Sequence, residues 1–104
     1  MRDRVDAVFQ ALADPNRRFV LESLADRESA TATELAAALP VTRQAVAKHL
    51  GLLRTAELVE ATRVGRELRY RLTPAPLGDA VEWMEQVGAQ WDERLAALGR
   101  HLTT

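Results

Sequence analysis

Cysteine is absent from these 104 residues, which excludes disulfides, thiolate metal ligands and redox-sensing thiols. Long apolar runs are missing too, and none approaches the ~20 residues a bilayer-spanning helix requires. The N-terminal MRDRVDAVFQ alternates charged with apolar residues and lacks the uninterrupted apolar core of a secretory signal. A cytoplasmic protein is therefore expected, with no membrane partner. No nucleophile–base pair, phosphate-cradling glycine loop or carboxylate dyad stands out, which argues against an enzyme. An excess of one charge sign is also lacking, since the formal net charge is −1.

That small sum hides an uneven layout. Residues 1–41 carry five Lys/Arg and seven Asp/Glu, residues 42–71 carry seven and three, and residues 72–104 carry two and five. A basic middle between acidic ends is compatible with phosphate-backbone binding, which depends on local positive charge and counterion release. With 47% hydrophobic and 28% charged residues the chain has the balance of an ordinary soluble domain. Its length suits one domain, residues 1–104, around one modest core.

The stretch from Thr31 to Leu72 organises the rest. Thr31 followed by Glu34 is a capping box that opens a short helix with Leu35 and Leu39 on its apolar stripe. Pro40 ends that helix by disfavouring the α conformation at Leu39. Thr42 is a plausible N-cap for the next helix, TRQAVAKHLGLLRT, in which Val46, Leu50 and Leu53 form one apolar edge. Gln44, Lys48, Gly51 and Thr55 fall opposite that edge, with Arg43 and Arg54 on the flanks. Two helices joined by so short a turn follow the helix-turn-helix plan, here residues 32–56.

Directly downstream, runs 58–63 and 67–72 flank Val64-Gly65. Leu68, Tyr70 and Leu72 alternate with Glu67, Arg69 and Arg71, the period of a half-buried strand. Gly65 supplies the positive φ of a tight hairpin. Arg63, Arg66, Arg69 and Arg71 are expected on the tip and outer face of this basic hairpin, residues 58–72, the wing of a winged-helix domain.

Before this stretch, residues 3–13 read as a helix with Val5, Val8, Phe9 and Leu12 on one face. Asp14-Pro15 restarts a second helix, running to about Asp26, with aspartate as N-cap and proline in the first turn. Arg27 to Ala30 reads as a polar connection. After the wing, Pro74 and Pro76 introduce a last helix, about 76–101. Trp83, Val87, Trp91, Leu95, Leu98 and Leu102 recur along it at steps of four, four, four, three and four. That stripe exceeds what so small a core can cover, so the first and last helices are expected to join two copies of the chain. Packing of the whole stripe on the chain's own first helix is the alternative. The fold class is mostly α with a small β-hairpin: a winged helix-turn-helix of five helices and a two-stranded wing.

Taken together, FQALADPNRRFVLESL, TATELAAALPVTRQAVAKHLGLLRTAELVEATRVGRELRYRLTP and the long final helix resemble the ArsR/SmtB family of small bacterial winged-helix repressors. The likeness covers residues 5 to about 100. It implies a homodimer, a palindromic operator in double-stranded DNA near promoters, and repression relieved by a signal. It also implies that residues 42–55 enter the major groove and that the wing, 63–69, meets the adjacent backbone or minor groove. Metal-sensing members carry cysteines near the start of the helix that here begins at Thr31, or carboxylates and histidine on the last helix. This chain has no cysteine, and Asp79 and Glu82 have only the distant His101 for company, so a member without metal site or cofactor is expected. The WDERL ending is similar to that of a branch often encoded beside START-like ligand-binding proteins.

The candidate DNA contacts are Thr42, Arg43, Gln44, Lys48, Arg54, Arg63, Arg66 and Arg69. Gln44 can bond adenine bidentately and Lys48 can donate to guanine in the major groove. Thr42 and Arg43 sit at a helix start that favours anions. Arg54 and the wing arginines suit phosphates or the minor groove, while a merely solvated face is the bland alternative for each. The candidate dimer contacts are Val5, Val8, Phe9, Leu12, Trp83, Val87, Trp91, Leu95 and Leu98. Trp83 and Trp91 could instead line an effector pocket, though no effector is identified. His49 suits a packed or hydrogen-bonded role, and Tyr70 suits the core. Two other functions remain open at this point: a winged-helix module that meets an acidic protein, and a small-molecule sensor with a pocket between first and last helices.

Overall fold

A computed structural model describes residues 2–103, with side chains described for 3–100. His101 and Leu102, the last of the expected stripe, therefore lie outside the described side chains. The elements in order are α1 (Arg2–Leu12), α2 (Pro15–Ala25), α3 (Ala32–Ala38), α4 (Arg43–Thr55), β1 (Val59–Val64), β2 (Glu67–Leu72) and α5 (Ala75–Thr103). Local chemistry accounts for most boundaries. Asp14 caps α2 by accepting from the backbone N–H groups of Asn16 (2.7 Å) and Arg17 (3.2 Å). Both halves of the Thr31–Glu34 capping box are made, at 2.8 and 3.1 Å, and Thr42 accepts from the Ala45 N–H at 3.1 Å. Pro76 sits in the first turn of α5, where its missing N–H costs nothing.

α4 ends at Thr55, within the expected 32–56, but without the glycine that usually marks such an ending. Leu58 N–H donates to Leu53 O and Glu57 N–H to Arg54 O, both at 2.9 Å, the paired bonds of a Schellman motif. Leu53 and Leu58 are fully buried and supply its apolar contact. The motif requires a left-handed residue, and Glu57 takes it at φ 61° in place of the usual glycine.

The core gathers one edge of every element. Val46, Leu50 and Leu53 of α4 are fully buried among Val8, Val20, Leu24, Leu35 and Leu58. β1 and β2 pair antiparallel with Val59 opposite Leu72, Ala61 opposite Tyr70 and Arg63 opposite Leu68. Gly65 turns the hairpin at φ 62°. Ala30, expected in a polar connection, is instead wholly buried and bridges to Tyr70 through two backbone bonds of 2.9 and 2.8 Å. Buried backbone groups need partners, and this bridge anchors the base of the hairpin to the segment entering α3.

The first half of α5 packs against α1. Phe9 meets Trp83 edge-to-face at 5.6 Å, Arg4 pairs with Asp79 at 3.2 Å, and Ala80 is buried. From Gly88 to Arg100 every residue is exposed. The long dimension of the molecule is consequently 69 Å, against 27 and 21 Å across.

Two stability outcomes follow from this packing. Leu50→Ala is expected to lower unfolding free energy by about 2–5 kcal/mol in urea titration, since it opens a void at the centre of the core. Glu57→Gly is expected to raise it by about 1 kcal/mol, because glycine adopts the left-handed conformation without a Cβ clash.

Candidate nucleic-acid interface

With one edge of α4 held in the core, its opposite edge is fixed outward. Gln44 and Lys48 are exposed there, and their side chains form no hydrogen bond or ion pair among the described residues. Arg43, one flank over, donates from Nε to Thr33 Oγ1 at 3.0 Å, which ties the start of α4 to the start of α3. The two helices and the wing enclose an open cleft of about 680 Å³, lined by Thr31, Arg43 and Ala47 on one wall and Arg63, Arg66 and Tyr70 on the other.

The strand register corrects the expected arrangement of wing arginines. Directly opposed residues share a face, so Arg63, opposite Leu68, lies on the inward face with Tyr70 and looks into the cleft. Arg66 is at the exposed tip. Arg69 is not a free outer-face cation. Its guanidinium donates to Ser29 Oγ at 2.9 Å and Ser29 O at 3.3 Å, and it pairs with Glu34 at 3.2 Å and Glu67 at 3.1 Å. Only 23% of its side chain remains exposed. Arg71 makes a longer, solvent-exposed pair with Glu28 at 3.5 Å.

Arg54 is not brought to the cleft at all. It lines a separate hollow together with Arg4, Glu57 and Glu60. Thr42, Arg43, Gln44, Lys48, Arg63 and Arg66 are thus gathered on the cleft and the exposed edge of α4, whereas Arg54 opens on the other hollow and Arg69 is held by Ser29, Glu34 and Glu67. Sequence spacing cannot reveal this, because the partners of Arg69 lie as far as 40 residues away. His49 is half-buried, and its Nδ1 is shielded without a hydrogen-bond partner, so it packs without the bond that was the other expectation.

The expected dimer contacts also divide. Val5 and Val8 are 6% and 0% exposed within the single chain, and Leu12 packs partly against the same core. Val5 and Val8 therefore offer little surface to a second copy, because the face of α1 that carries them is turned into the chain itself. Phe9 stays partly exposed beside Trp83, and Val87 is half-buried. Trp91, Leu95 and Leu98 are 55%, 61% and 53% exposed. Among the described residues no group of His, Asp and Glu is placed to hold a metal ion. No helix among them is long and apolar enough to cross a membrane.

Two carboxylates at helix starts are shifted. The Thr31 backbone N–H, and with it the nearby Arg69 charge, hold the Glu34 carboxyl below its usual 4.5, against a smaller opposing effect of burial. The Arg17 backbone N–H, helped by Asn16 and the Arg17 charge, does the same for Asp14 against its usual 3.8.

A helix-turn-helix whose second helix presents an unpaired polar edge beside a basic hairpin defines a winged-helix DNA-binding regulator. Residues 12–62 match the family described as "Helix-turn-helix domain". The chain is 32% identical to the transcriptional repressor SdpR of Bacillus subtilis over 77 residues, covering 74% of this chain and 84% of that one. An ArsR-like transcriptional regulator from Rhodococcus sp. RHA1 superposes with a TM-score of 0.83 at 44% identity, covering 93% of this chain and 91% of that one. The homodimeric winged helix-turn-helix DNA-binding domain of Mb0332 from Mycobacterium bovis superposes at 0.64 with 29% identity, over 89% and 82% of the two chains. This chain belongs to the ArsR/SmtB family of winged-helix transcriptional regulators, and its relatives are regulators rather than enzymes.

Because both carboxyls are depressed in the folded chain, the stability they contribute is full above their ordinary values and is lost as pH falls through the depressed ones. Amide protection factors in the first turns of α2 and α3, corrected for the pH dependence of intrinsic exchange, are expected to be highest at neutral pH and to fall as pH drops below the ordinary carboxylate values. Glu34→Gln should remove that acid step from α3 and leave the step in α2 intact.

Proposed function

We propose that this chain acts as a homodimeric repressor that binds a palindromic operator, residues 42–55 entering the major groove and the wing meeting the neighbouring backbone or minor groove. The observation that carries this reading is the exposed pair Gln44 and Lys48 on α4 beside a cleft bordered by Arg43, Arg63 and Arg66. Gln44 and Lys48 supply donors and an acceptor for base edges. Arg63 and Arg66 supply charge for phosphates, with Thr42 and Arg43 at the start of α4, where the helix dipole favours anions. In this reading Arg69 is left out of the contact set because Ser29, Glu34 and Glu67 hold it, and Arg54 because it lies away from the cleft. The relatives described as repressor and as homodimeric DNA-binding domain support the same assignment.

The exposed apolar stripe of α5 supports the second copy. The distal half of this helix carries Trp91, Leu95 and Leu98 on one stripe, each more than half exposed, and apolar burial rather than propensity is what usually stabilises such a helix in water. Trp83, Val87, Trp91, Leu95, Leu98 and Phe9 form the proposed dimer surface, α1 and α5 the dimerising helices, 32–56 the helix-turn-helix and 58–72 the wing of a single domain. A two-fold dimer sets its two α4 helices against half-sites about one helical turn, ~34 Å, apart. In this reading the protein works in the cytoplasm, where the DNA is.

Gel-shift or anisotropy titration against DNA upstream of its own gene tests the reading. Gln44→Ala and Lys48→Ala should each cost about 1–3 kcal/mol of sequence discrimination, and Gln44→Ala, which removes no charge, should leave binding to random duplex nearly unchanged. Arg66→Ala should weaken all sequences alike and reduce the slope of log K against log salt by about 0.9 per lost phosphate contact. Leu95→Glu should convert a dimer to a monomer in sedimentation velocity, with operator affinity falling in parallel. Absence of salt-resistant binding in the wild type would overturn the assignment.

A further inference from the structure

Arg69 occupies an unusual junction. One guanidinium reaches three separate elements: Ser29 in the connection before α3, Glu34 in the first turn of α3, and Glu67 on its own strand. The Glu34 oxygen that pairs with Arg69, Oε1, is the same atom that accepts from the Thr31 backbone N–H at 2.8 Å. The helix-turn-helix cap and the wing therefore share one atom.

The mechanical need is plain. A two-stranded hairpin is marginal by itself in water. Here the backbone bridge from Ala30 to Tyr70 secures its base, whereas the strands run on to Gly65, five residues beyond Tyr70. The next residue toward the tip from that bridge is Arg69. Its planar set of five donors suits simultaneous engagement of a hydroxyl, a carbonyl and carboxylates, which a lysine ammonium on its flexible stem cannot reproduce.

We infer that Arg69 is a positioning residue that clamps the wing to the capped start of α3 and so sets the spacing between the wing cations Arg63 and Arg66 and the exposed edge of α4. The inference rests on the DNA-binding reading for its purpose, but the clamp itself is a property of the free protein. It assigns Arg69 no phosphate of its own. Charge at this position acts through Glu34 and Ser29, and the DNA is touched by its neighbours.

Two measurements test it. Because the chain has no cysteine, a single nitroxide at Val64→Cys, at the exposed end of β1, reports wing mobility without interference. Arg69→Gln should make that label more mobile while far-ultraviolet circular dichroism stays unchanged. Glu34→Gln, which keeps the oxygen that accepts from Thr31 but removes the charge, should shift it the same way by less, and the double variant should match Arg69→Gln alone. In DNA titrations with unlabelled protein, Arg69→Gln should weaken binding roughly three- to tenfold with the salt slope unchanged. Arg69→Lys should recover only part of that loss.

An immobile label in Arg69→Gln overturns the clamp. A salt slope reduced by about 0.9 in Arg69→Gln, with full recovery in Arg69→Lys and no effect of Glu34→Gln, also overturns it and makes Arg69 a direct phosphate contact. If the wild type binds no duplex, the DNA-binding reading fails, while the label still decides the clamp.

Discussion

Burial of one edge of α4 is the constraint from which the rest of the site follows. Val46, Leu50 and Leu53 are withdrawn completely from water, and each contributes roughly 1.5–3 kcal/mol by that burial. A helix held along one edge cannot rotate without exposing all three side chains. The opposite edge, with Gln44 and Lys48, is thereby presented to solvent at a fixed angle. The Schellman ending at Glu57 then directs the chain into β1, which places the hairpin beside the helix rather than away from it.

Cations on this surface differ less in chemistry than in what already occupies them. Arg43 is tied to Thr33, Arg69 to Ser29, Glu34 and Glu67, and Arg71 to Glu28. Arg63, Arg66 and Lys48 are left facing the cleft and the solvent. A guanidinium already paired with two carboxylates releases few counterions when a phosphate approaches, so the free cations dominate any salt-dependent affinity. The engaged ones shape the surface instead.

The distal half of α5 is the least self-sufficient element. Its first half is braced by Phe9 and Arg4, yet the remainder stands clear of the body of the chain with Trp91, Leu95 and Leu98 on its flank. The cation–π contact of Arg94 over Trp91 at 5.2 Å covers only part of that stripe. In the proposed dimer the same helix would set the separation of two α4 helices, so its length and stiffness translate into operator spacing.

Much of the architecture was readable one segment at a time. Asp14-Pro15, Thr31–Glu34 and Thr42 announce helix starts through hydrogen bonds made within three residues. The 3.6-residue period of α4 and the two-residue period of β2 name their buried sides, because both periods are set by backbone geometry alone. Gly65 marks the hairpin for the same reason. What local pattern could not decide was which surfaces meet. The burial of Val5 and Val8 in the chain's own core, the Ala30–Tyr70 bridge, the inward turn of Arg63 and the capture of Arg69 by Ser29 and Glu34 all depend on register and packing between distant segments. Side-chain type and spacing state what a residue is able to bond. Only the assembled chain determines which partner reaches it first.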